Sequence, residues 1–162
     1  MIIHSPLKFE YVDDLSVKAK QSIMRLTEDM LVVCDRGGFK SFRVPKGMHT
    51  NGASIPQSAK TIIGGNFDGL YLVSAIVHDM LYLIQHNRKE ADNAFYDMMR
   101  ALGVGVLKAT AMYQAVHLFG KDAFNSPIPQ EDAKVLEKIK ISMNNKAEYE
   151  KTLSLIKEMN SK

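Results

Sequence analysis

The chain has 162 residues, of which 46% are hydrophobic and 24% are charged, so it is long enough to bury the core of one globular domain. Its net charge is only +3, and its basic residues are interleaved with acids, which excludes the basic stripe typical of nucleic-acid-binding proteins. The single cysteine, Cys34, excludes an internal disulfide and a zinc site built from several thiolates. Because Cys34 ends an apolar run, we expect a buried hydrophobic residue and not a nucleophile.

The N-terminal residues and the apolar runs bear on location. Residues 1–6 have neither the charged start nor the long apolar stretch of a signal peptide. The longest apolar runs are well short of the ~20 residues that a transmembrane helix needs. The sequence therefore predicts no signal peptide and no transmembrane segment, and a protein that stays in the cytoplasm where it is made unless a partner carries it.

The first third of the chain has the patterns of β-strands. Residues 7–12 alternate loosely, residues 22–34 are rich in apolar and β-branched side chains, and residues 39–44 alternate with a period of two. Residues 35–38 have the composition of a turn. We predict a small antiparallel hairpin or a three-stranded sheet before residue 47.

The segment 47–69 is the least regular part of the chain, because glycine, proline and asparagine recur through it. One interpretation is a connector between the sheet and the helices. The other is a loop whose backbone groups line a site, since structureless connectors of this length are uncommon in compact domains without a role. The candidate residues of this loop are His49, Asn51, Ser54, Gly64 and Gly65.

The rest of the chain is predicted to be helical. Two helices joined by a short polar turn are expected within residues 68–99, and a third over residues 106–119 ends at Gly120. Residues 130–161 are rich in helix formers, with a narrow apolar stripe and a break expected at residues 144–145. That stripe suits either a strap over the core or a helix that docks on a partner.

Together these elements predict an α+β fold, with a small N-terminal antiparallel sheet followed by a bundle of three or four helices. The predicted globular domain covers residues 1–124, with a β part at about 1–47, the loop at 47–69 and a helical body at 70–120. Residues 125–162 would form a C-terminal helical extension.

The strongest candidate site lies on the first two predicted helices. His78 and Tyr82 are four residues apart and share one face of a helix, and Asp92 on an antiparallel second helix can come back beside them. Asp92 could then orient His78 as a general base for water, with Tyr82 bonded to the same carboxylate. Asp79 points about 100° away around the helix and would suit calcium, with further oxygen ligands from the loop. The other interpretation is a buried polar network that only fixes helix packing.

The remaining candidates have less support. Glu90 could supply an additional acid, but its position suits the start of a helix, where it faces the helix dipole. We expect His86 near a helix end facing solvent, and His117 in the core or at its rim. The sequence has no HExxH zinc motif, nucleophile elbow, phosphate loop or dinucleotide fingerprint.

Four stretches occur in order between about residues 44 and 120: VPKGMHTNGASIP, AIVHDMLY, RKEADNAFYDMMRALGV and AMYQAVHLFG. They resemble a family of unknown function associated with phages and prophages. Its hallmarks are a Thr-Asp-x-Ala-Ser-x-Pro loop, a His-Asp-x-Leu-Tyr helix, a Glu-Ala-Asp-x-x-Phe helix and a terminal Phe-Gly. Asn51 stands where that loop has Asp, which lowers the expected metal affinity if the Asp is a ligand. The resemblance implies a phage-encoded protein in the host cytoplasm or carried in the virion.

A second, shorter pattern consists of His78, Asp79 and Tyr82, followed later by Asp92. It is similar to the core signature of secreted and parvoviral calcium-dependent phospholipases. That resemblance implies His78 as the base for water, Asp79 as a calcium ligand, and Tyr82 and Asp92 as the groups that orient the imidazole ring. The glycine-rich calcium loop of those enzymes is missing here, with a loose substitute at residues 64–65, and their disulfides are absent.

These features lead to two hypotheses. The first is a phage-encoded, metal-dependent hydrolase acting on a phospholipid ester, with His78, Asp92 and Tyr82 as its catalytic residues and calcium bound by Asp79 and loop carbonyls. Its partner would be a phospholipid or membrane surface. The alternative is a non-catalytic protein of the virion or of host interaction, in which the His–Asp network is structural and the C-terminal helix contacts a phage or host protein.

Overall fold

The computed structural model describes residues 1–19, 22–52 and 70–162. Within them the chain forms two compact units, one of residues 1–50 with 129–162 and one of residues 51–128. We call the first the sheet unit and the second the helical unit. The predicted site residues Ser54, Gly64 and Gly65 lie outside the described residues.

The sheet unit contains two antiparallel sheets. Its strands are β1 (Ile2–His4), β2 (Phe9–Tyr11), β3 (Met24–Leu26), β4 (Met30–Cys34), β5 (Lys40–Val44), β6 (His49–Thr50) and β7 (Lys140–Met143). One sheet has the order β1–β4–β5–β7 and the other the order β2–β3–β6. β4 and β5 form the predicted hairpin, with Val32 opposite Phe42. Its turn uses positive φ angles at Gly37 and Gly38, which glycine adopts without a steric cost.

Two helices belong to the sheet unit, α1 (Asp13–Ala19) and, at the C-terminus, a helix over Lys146–Asn160. The C-terminal helix begins at Asn145, whose side chain accepts the Glu148 backbone N–H at 3.1 Å, a common N-cap. Its buried residues Tyr149 and Ile156 share a hydrophobic cluster with Val33 of β4. The apolar stripe of this helix therefore covers the four-stranded sheet.

The helical unit contains α2 (Leu72–Leu83), α3 (Arg88–Ala101), α4 (Val106–Phe119) and α5 (Lys121–Phe124), so the C-terminal helix is α6. Its core joins residues from α2, α3 and α4 with their flanking loops: Tyr71, Ala75, Phe95, Met99, Val104, Ala109 and Met112. Ala75 near the start of α2 shares this cluster with Met99 near the end of α3, as expected for antiparallel neighbours.

The turn between α2 and α3 sets the relative position of these two helices. Gln85 adopts a positive φ of 51°, and the backbone N–H groups of Gln85 and His86 return to the carbonyls of Tyr82 and Leu81 at 3.0 and 2.9 Å. This pair of bonds is a Schellman motif, which ends a helix abruptly. Asn87 then caps α3 by accepting the Glu90 N–H at 3.1 Å. The chain therefore reverses its direction between α2 and α3 within residues 84–87.

The predicted α+β class is confirmed, with an N-terminal antiparallel sheet region followed by helices. Two local predictions were wrong. Residues 22–34 form two strands instead of one, because Asp29 turns away to accept the Lys46 N–H at 2.8 Å. The helix expected over residues 130–161 is a 3-10 turn (Leu136–Lys138), β7 and α6, since β7 gains a ladder of hydrogen bonds with β5 that outweighs local propensity. β1 and α1 were not anticipated.

No helix within the described ranges combines the length and the apolar character that crossing a bilayer requires.

Candidate functional site

The site is built around the carboxylate of Asp92 on α3. His78 Nε2 lies 2.9 Å from Asp92 Oδ1, and Tyr82 Oη donates to the same oxygen at 2.7 Å. Because His78 and Tyr82 are one turn apart on α2, both rings reach α3 from one helix face. The structure therefore brings together the three residues predicted to form the catalytic group.

The three side chains are largely withdrawn from water. The side chain of Asp92 is 1% exposed and that of His78 is 8% exposed. The imidazole packs against two aromatic rings, with centroid distances of 4.1 Å to Tyr82 and 4.8 Å to Phe95. Phe124 contacts Tyr82 in an edge arrangement, with the ring centroids 5.2 Å apart. The ring orientation of His78 is therefore fixed by packing as well as by the hydrogen bond to Asp92.

The pattern of hydrogen bonds leaves one nitrogen of the His78 ring available. Nε2 faces Asp92, and Nδ1 has no hydrogen-bond partner among the residues that the structure describes. A carboxylate acceptor at Nε2 favours the tautomer that carries its proton there. The lone pair of a neutral His78 would then lie on Nδ1.

The ionisation of the site follows from these contacts. Burial raises the pKa of Asp92, but the hydrogen bonds from His78 and Tyr82 and the nearby charge of Arg88 outweigh it, so that the pKa lies below its usual value. Burial, and then the bond to Asp92, raise the pKa of the Tyr82 phenol well above its usual value. At neutral pH the site therefore contains a carboxylate anion and a neutral phenol.

Arg88 is a site residue that the sequence analysis missed. Its Nε lies 3.5 Å from Tyr82 Oη and 4.0 Å from Asp92 Oδ2. Its Nη2 donates to the carbonyls of Val116, at 3.2 Å, and of His117, which belong to the last turn of α4. A cation at a helix C-terminus is favourable, so Arg88 connects the Asp92 group to the end of α4. The spacing of Arg88 and Asp92, four residues apart at the start of one helix, was the available signal.

Gly120 is also part of the site. A Cβ atom at this position would lie 2.6 Å from Tyr82 Oη and would overlap the carbonyl oxygen of Val116. Only glycine therefore allows the α4–α5 junction to approach the phenol this closely. From the sequence, Gly120 was predicted only as a helix stop, and the terminal Phe-Gly of the resemblance was the signal for its second role.

The other predicted residues lie apart from the bonds to Asp92. Asp79 is half-buried on α2 and takes no part in them. Glu90 is exposed at the start of α3, where its carboxylate accepts from His86 Nε2 at 2.8 Å. His49 lies on β6 of the sheet unit, and its ring contacts Asp132 at 3.1 Å. Asn51 is half-buried just after β6.

The fit of the described residues to calcium is limited. They contain no group of three or more histidine, cysteine, aspartate or glutamate side chains placed to hold one metal ion. Asp79 offers one half-buried carboxylate, and the loop carbonyls of the hypothesis would come from residues 47–66, of which residues 53–66 lie outside the described ranges. A calcium site would therefore depend on ligands beyond those described.

Comparison with known proteins gives relatives without an assigned activity. "Uncharacterized protein y4jT" of Sinorhizobium fredii (strain NBRC 101917 / NGR234) is 44% identical over 91 residues, which cover 54% of this chain and 26% of that protein. "Uncharacterized protein y4iH" of the same strain is 38% identical over 73 residues, which cover 44% of this chain and 30% of that protein. The chain thus spans less than a third of the length of these curated relatives. No solved structure matches it.

The family comparison covers most of the site. Residues 24–116 match the family described as "Protein of unknown function (DUF1353)". This range includes His78, Tyr82, Arg88 and Asp92, and it ends just before His117. Because the match extends over more than half of the chain, the protein belongs to the DUF1353 family.

Proposed function

We propose that this protein is a metal-dependent hydrolase of ester bonds in which His78 acts as the general base. The observation that carries the proposal is the 2.9 Å contact between His78 Nε2 and Asp92 Oδ1, with Nδ1 free of described partners. A histidine whose far nitrogen is held by a buried carboxylate is oriented to accept a proton at its other nitrogen.

Each residue has a separate role in this reaction. His78 Nδ1 takes a proton from water, and the water oxygen attacks the ester carbonyl. The same proton then passes from Nδ1 to the departing alkoxide, which restores the neutral ring. Asp92 stabilises the imidazolium formed in between, and Tyr82 holds the carboxylate in position from the side of α2.

The substrate class rests on the resemblance to calcium-dependent phospholipases. The contacts of His78 and Tyr82 with Asp92 Oδ1 support this choice, and we propose a phospholipid ester as the substrate and a membrane surface as its location. Calcium, when bound by Asp79 and loop carbonyls, would polarise the ester carbonyl and stabilise the developing oxyanion. The proposed setting is a phage-encoded protein in the host cytoplasm or in the virion.

The experiment uses the wild-type protein and two matched sets of lipids, one with ester linkages and one with ether linkages. Vesicles of phosphatidylglycerol and phosphatidylcholine are incubated with the protein in calcium or in a chelator, and free fatty acid is measured. Vesicles of the ether-linked analogues, which have no ester to cleave, are the control. We expect fatty acid release from the ester lipids in calcium only. No release above the chelator sample would contradict the proposal.

The metal is tested separately by calorimetry. We expect calcium to bind the wild type with measurable heat and to bind Asp79→Asn at least about tenfold more weakly, because an anionic ligand becomes neutral. Glu90→Gln, an exposed carboxylate change on α3, is the control and should bind calcium as the wild type does. Equal heats in the wild type and Asp79→Asn would exclude Asp79 as a ligand.

One observation favours a second candidate, a non-catalytic protein of the virion or of host interaction. The His78 side chain is only 8% exposed and packs against two aromatic rings, as a purely structural network would require. In that case the exposed side of α6, where Leu155 is 47% exposed, would contact a phage or host protein. This candidate predicts that changes at His78 alter stability alone.

A further inference from the structure

The second oxygen of Asp92 has no assigned partner. Oδ2 is buried and makes no hydrogen bond with any described residue, although Oδ1 of the same carboxylate accepts two. A buried carboxylate oxygen without a donor is uncommon, because its lost hydration is not replaced. The arrangement therefore calls for a donor that lies close to Oδ2.

Two side chains approach Oδ2 from different helices. Arg88 Nε on α3 is 4.0 Å away, and His117 Nδ1 on α4 is 3.8 Å away. The guanidinium of Arg88 is already bonded to two carbonyls of α4 and to Tyr82 Oη. Within the described residues, the imidazole of His117 makes no such hydrogen bond, and its ring contacts there are the approach to Asp92 and the stacking on Tyr113.

The ring of His117 is held in this position. It stacks on Tyr113, one turn earlier in α4, with centroids 5.8 Å apart and planes 10° from parallel. Tyr113 Oη in turn donates to Asn93 Oδ1 at 3.2 Å, and Asn93 is the neighbour of Asp92 on α3. The contacts between α3 and α4 therefore direct one edge of the imidazole to Oδ2, while the side chain remains 51% exposed.

We propose that His117 is a positioning residue of the site, which donates from Nδ1–H to Asp92 Oδ2. Closing the contact from 3.8 Å to hydrogen-bond distance requires a movement of about 1 Å. One buried carboxylate then serves two imidazoles, a buried one on α2 and a half-exposed one on α4. Among the residues that the structure describes, the charged and titratable groups that contact or approach this carboxylate are Arg88 from α3, His117 from α4, and His78 and Tyr82 from α2.

The consequence concerns the strength of the bond to His78. A donor on Oδ2 fixes the plane of the carboxylate and withdraws part of its charge from Oδ1. His117, whose side chain is half-exposed, would thus change the strength of the hydrogen bond between Asp92 and His78. The catalytic meaning of this coupling rests on the proposed function, but the hydrogen bond does not.

The first test requires no substitution. In the ¹⁵N NMR spectrum of the histidine-labelled wild type, we expect neutral His117 to carry its proton on Nδ1, which is the less common tautomer of an imidazole in water. The tautomer is determined by the bond that a ring makes. A His117 protonated on Nε2 in its neutral form would overturn the proposal.

The second test follows the Nε2–H proton of His78 in the ¹H spectrum. In His117→Leu the charge of the carboxylate returns to Oδ1, and we expect this resonance to move downfield as the bond strengthens. His117→Gln, which keeps an N–H donor, should restore part of the wild-type position. His86→Gln, a histidine change at the α2–α3 turn with its own partner Glu90, should leave the resonance in place.

The outcomes separate this proposal from the proposed function. An unchanged His78 resonance in His117→Leu, or an equal change in His86→Gln, would overturn the role of His117 even if the wild type hydrolyses esters. Conversely, a shift in His117→Leu with no hydrolysis by the wild type would keep the coupling and remove the enzyme. Neither spectrum requires substrate or metal.

Discussion

The two units each contain a histidine–aspartate pair within the described residues, and the two pairs are built differently. In the sheet unit, Asp132 Oδ1 accepts the backbone N–H of His49 at 3.0 Å and lies 3.1 Å from its ring. In the helical unit, Asp92 Oδ1 accepts from two side chains, His78 and Tyr82. Asp132 therefore holds the backbone of His49 together with its ring, whereas Asp92 holds the side chains of two residues, His78 and Tyr82.

Burial by itself does not separate these pairs. The side chains of His49 and Asp132 are 13% and 6% exposed, against 8% and 1% for His78 and Asp92. The identity of the partners does separate them, because a carboxylate that holds backbone is explained by the fold. The fold alone does not explain a carboxylate that binds an imidazole and a phenol through one oxygen and has no described hydrogen-bond partner for its second oxygen. This difference is the reason for placing the candidate chemistry in the helical unit.

The largest expected effect comes from removing the shared carboxylate. Asp92→Ala leaves two largely buried donors without an acceptor, and we expect a loss of about 2–4 kcal/mol in the free energy of unfolding. Asp132→Ala is the matched change in the sheet unit and should cost about 1–2 kcal/mol, because the two contacts of Asp132, at 3.0 and 3.1 Å, are longer than the 2.9 and 2.7 Å contacts of Asp92. Urea unfolding of the two variants measures both values. Equal losses would show that the two pairs are energetically alike.

A steric change tests how closely α5 approaches the site. Gly120→Ala places a Cβ against Tyr82 Oη and the Val116 carbonyl, and we expect a loss of about 2 kcal/mol in unfolding free energy. Gly105→Ala is the control, because nothing lies within 4 Å of the Cβ it would add. It should change stability by less than about 0.5 kcal/mol. Similar results for the two variants would mean that the phenol can move aside freely.

The N-cap residues of α3 and α6 allow a comparison in which the expected effect is smaller and equal in the two units. Asn87 begins α3 in the helical unit and Asn145 begins α6 in the sheet unit, and each accepts a backbone N–H at 3.1 Å. Replacing either by alanine should cost about 1 kcal/mol, as measured by thermal or urea unfolding. A clearly larger loss for Asn87→Ala would indicate that the start of α3 is coupled to the Asp92 group.

The smallest expected effect is the pH dependence of the Asp92 contribution. Because the pKa of Asp92 is lowered by folding, its stabilising contribution is present above the unfolded value of about 3.9 and is lost as pH falls through the lower folded value. The difference in unfolding free energy between the wild type and Asp92→Asn should therefore be constant near neutral pH and shrink below about pH 4. A difference that grows on acidification would contradict this sign.

Much of the site could be predicted because its spacing is local. The four-residue interval between His78 and Tyr82 and the short turn before α3 are sufficient to bring Asp92 to the same helix face. Arg88 and Gly120 were missed as site residues because their roles depend on the end of α4. Arg88 donates to carbonyls 28 and 29 residues away, and such contacts leave no periodic pattern in the sequence.

The errors in the predicted fold have the same origin, namely contacts between residues that are far apart in the sequence. Residues 140–143 have the composition of the helix that follows them, yet they pair with β5 across about a hundred residues of chain. Local propensity could not predict this, because the stabilising ladder lies in tertiary structure. The break at residues 144–145 was predictable, since Asn144 tolerates a positive φ and Asn145 is a favourable cap.

The most direct measurement of the central claim compares His78→Gln with the wild type in the calcium-dependent release of fatty acid from phosphatidylglycerol vesicles, with unfolding free energy determined on the same samples. His86→Gln serves as the histidine control. We expect His78→Gln to lose at least about a hundredfold in rate, as removal of a general base does, while it remains folded and His86→Gln keeps the wild-type rate. A folded His78→Gln protein that releases fatty acid as fast as the wild type would contradict the account.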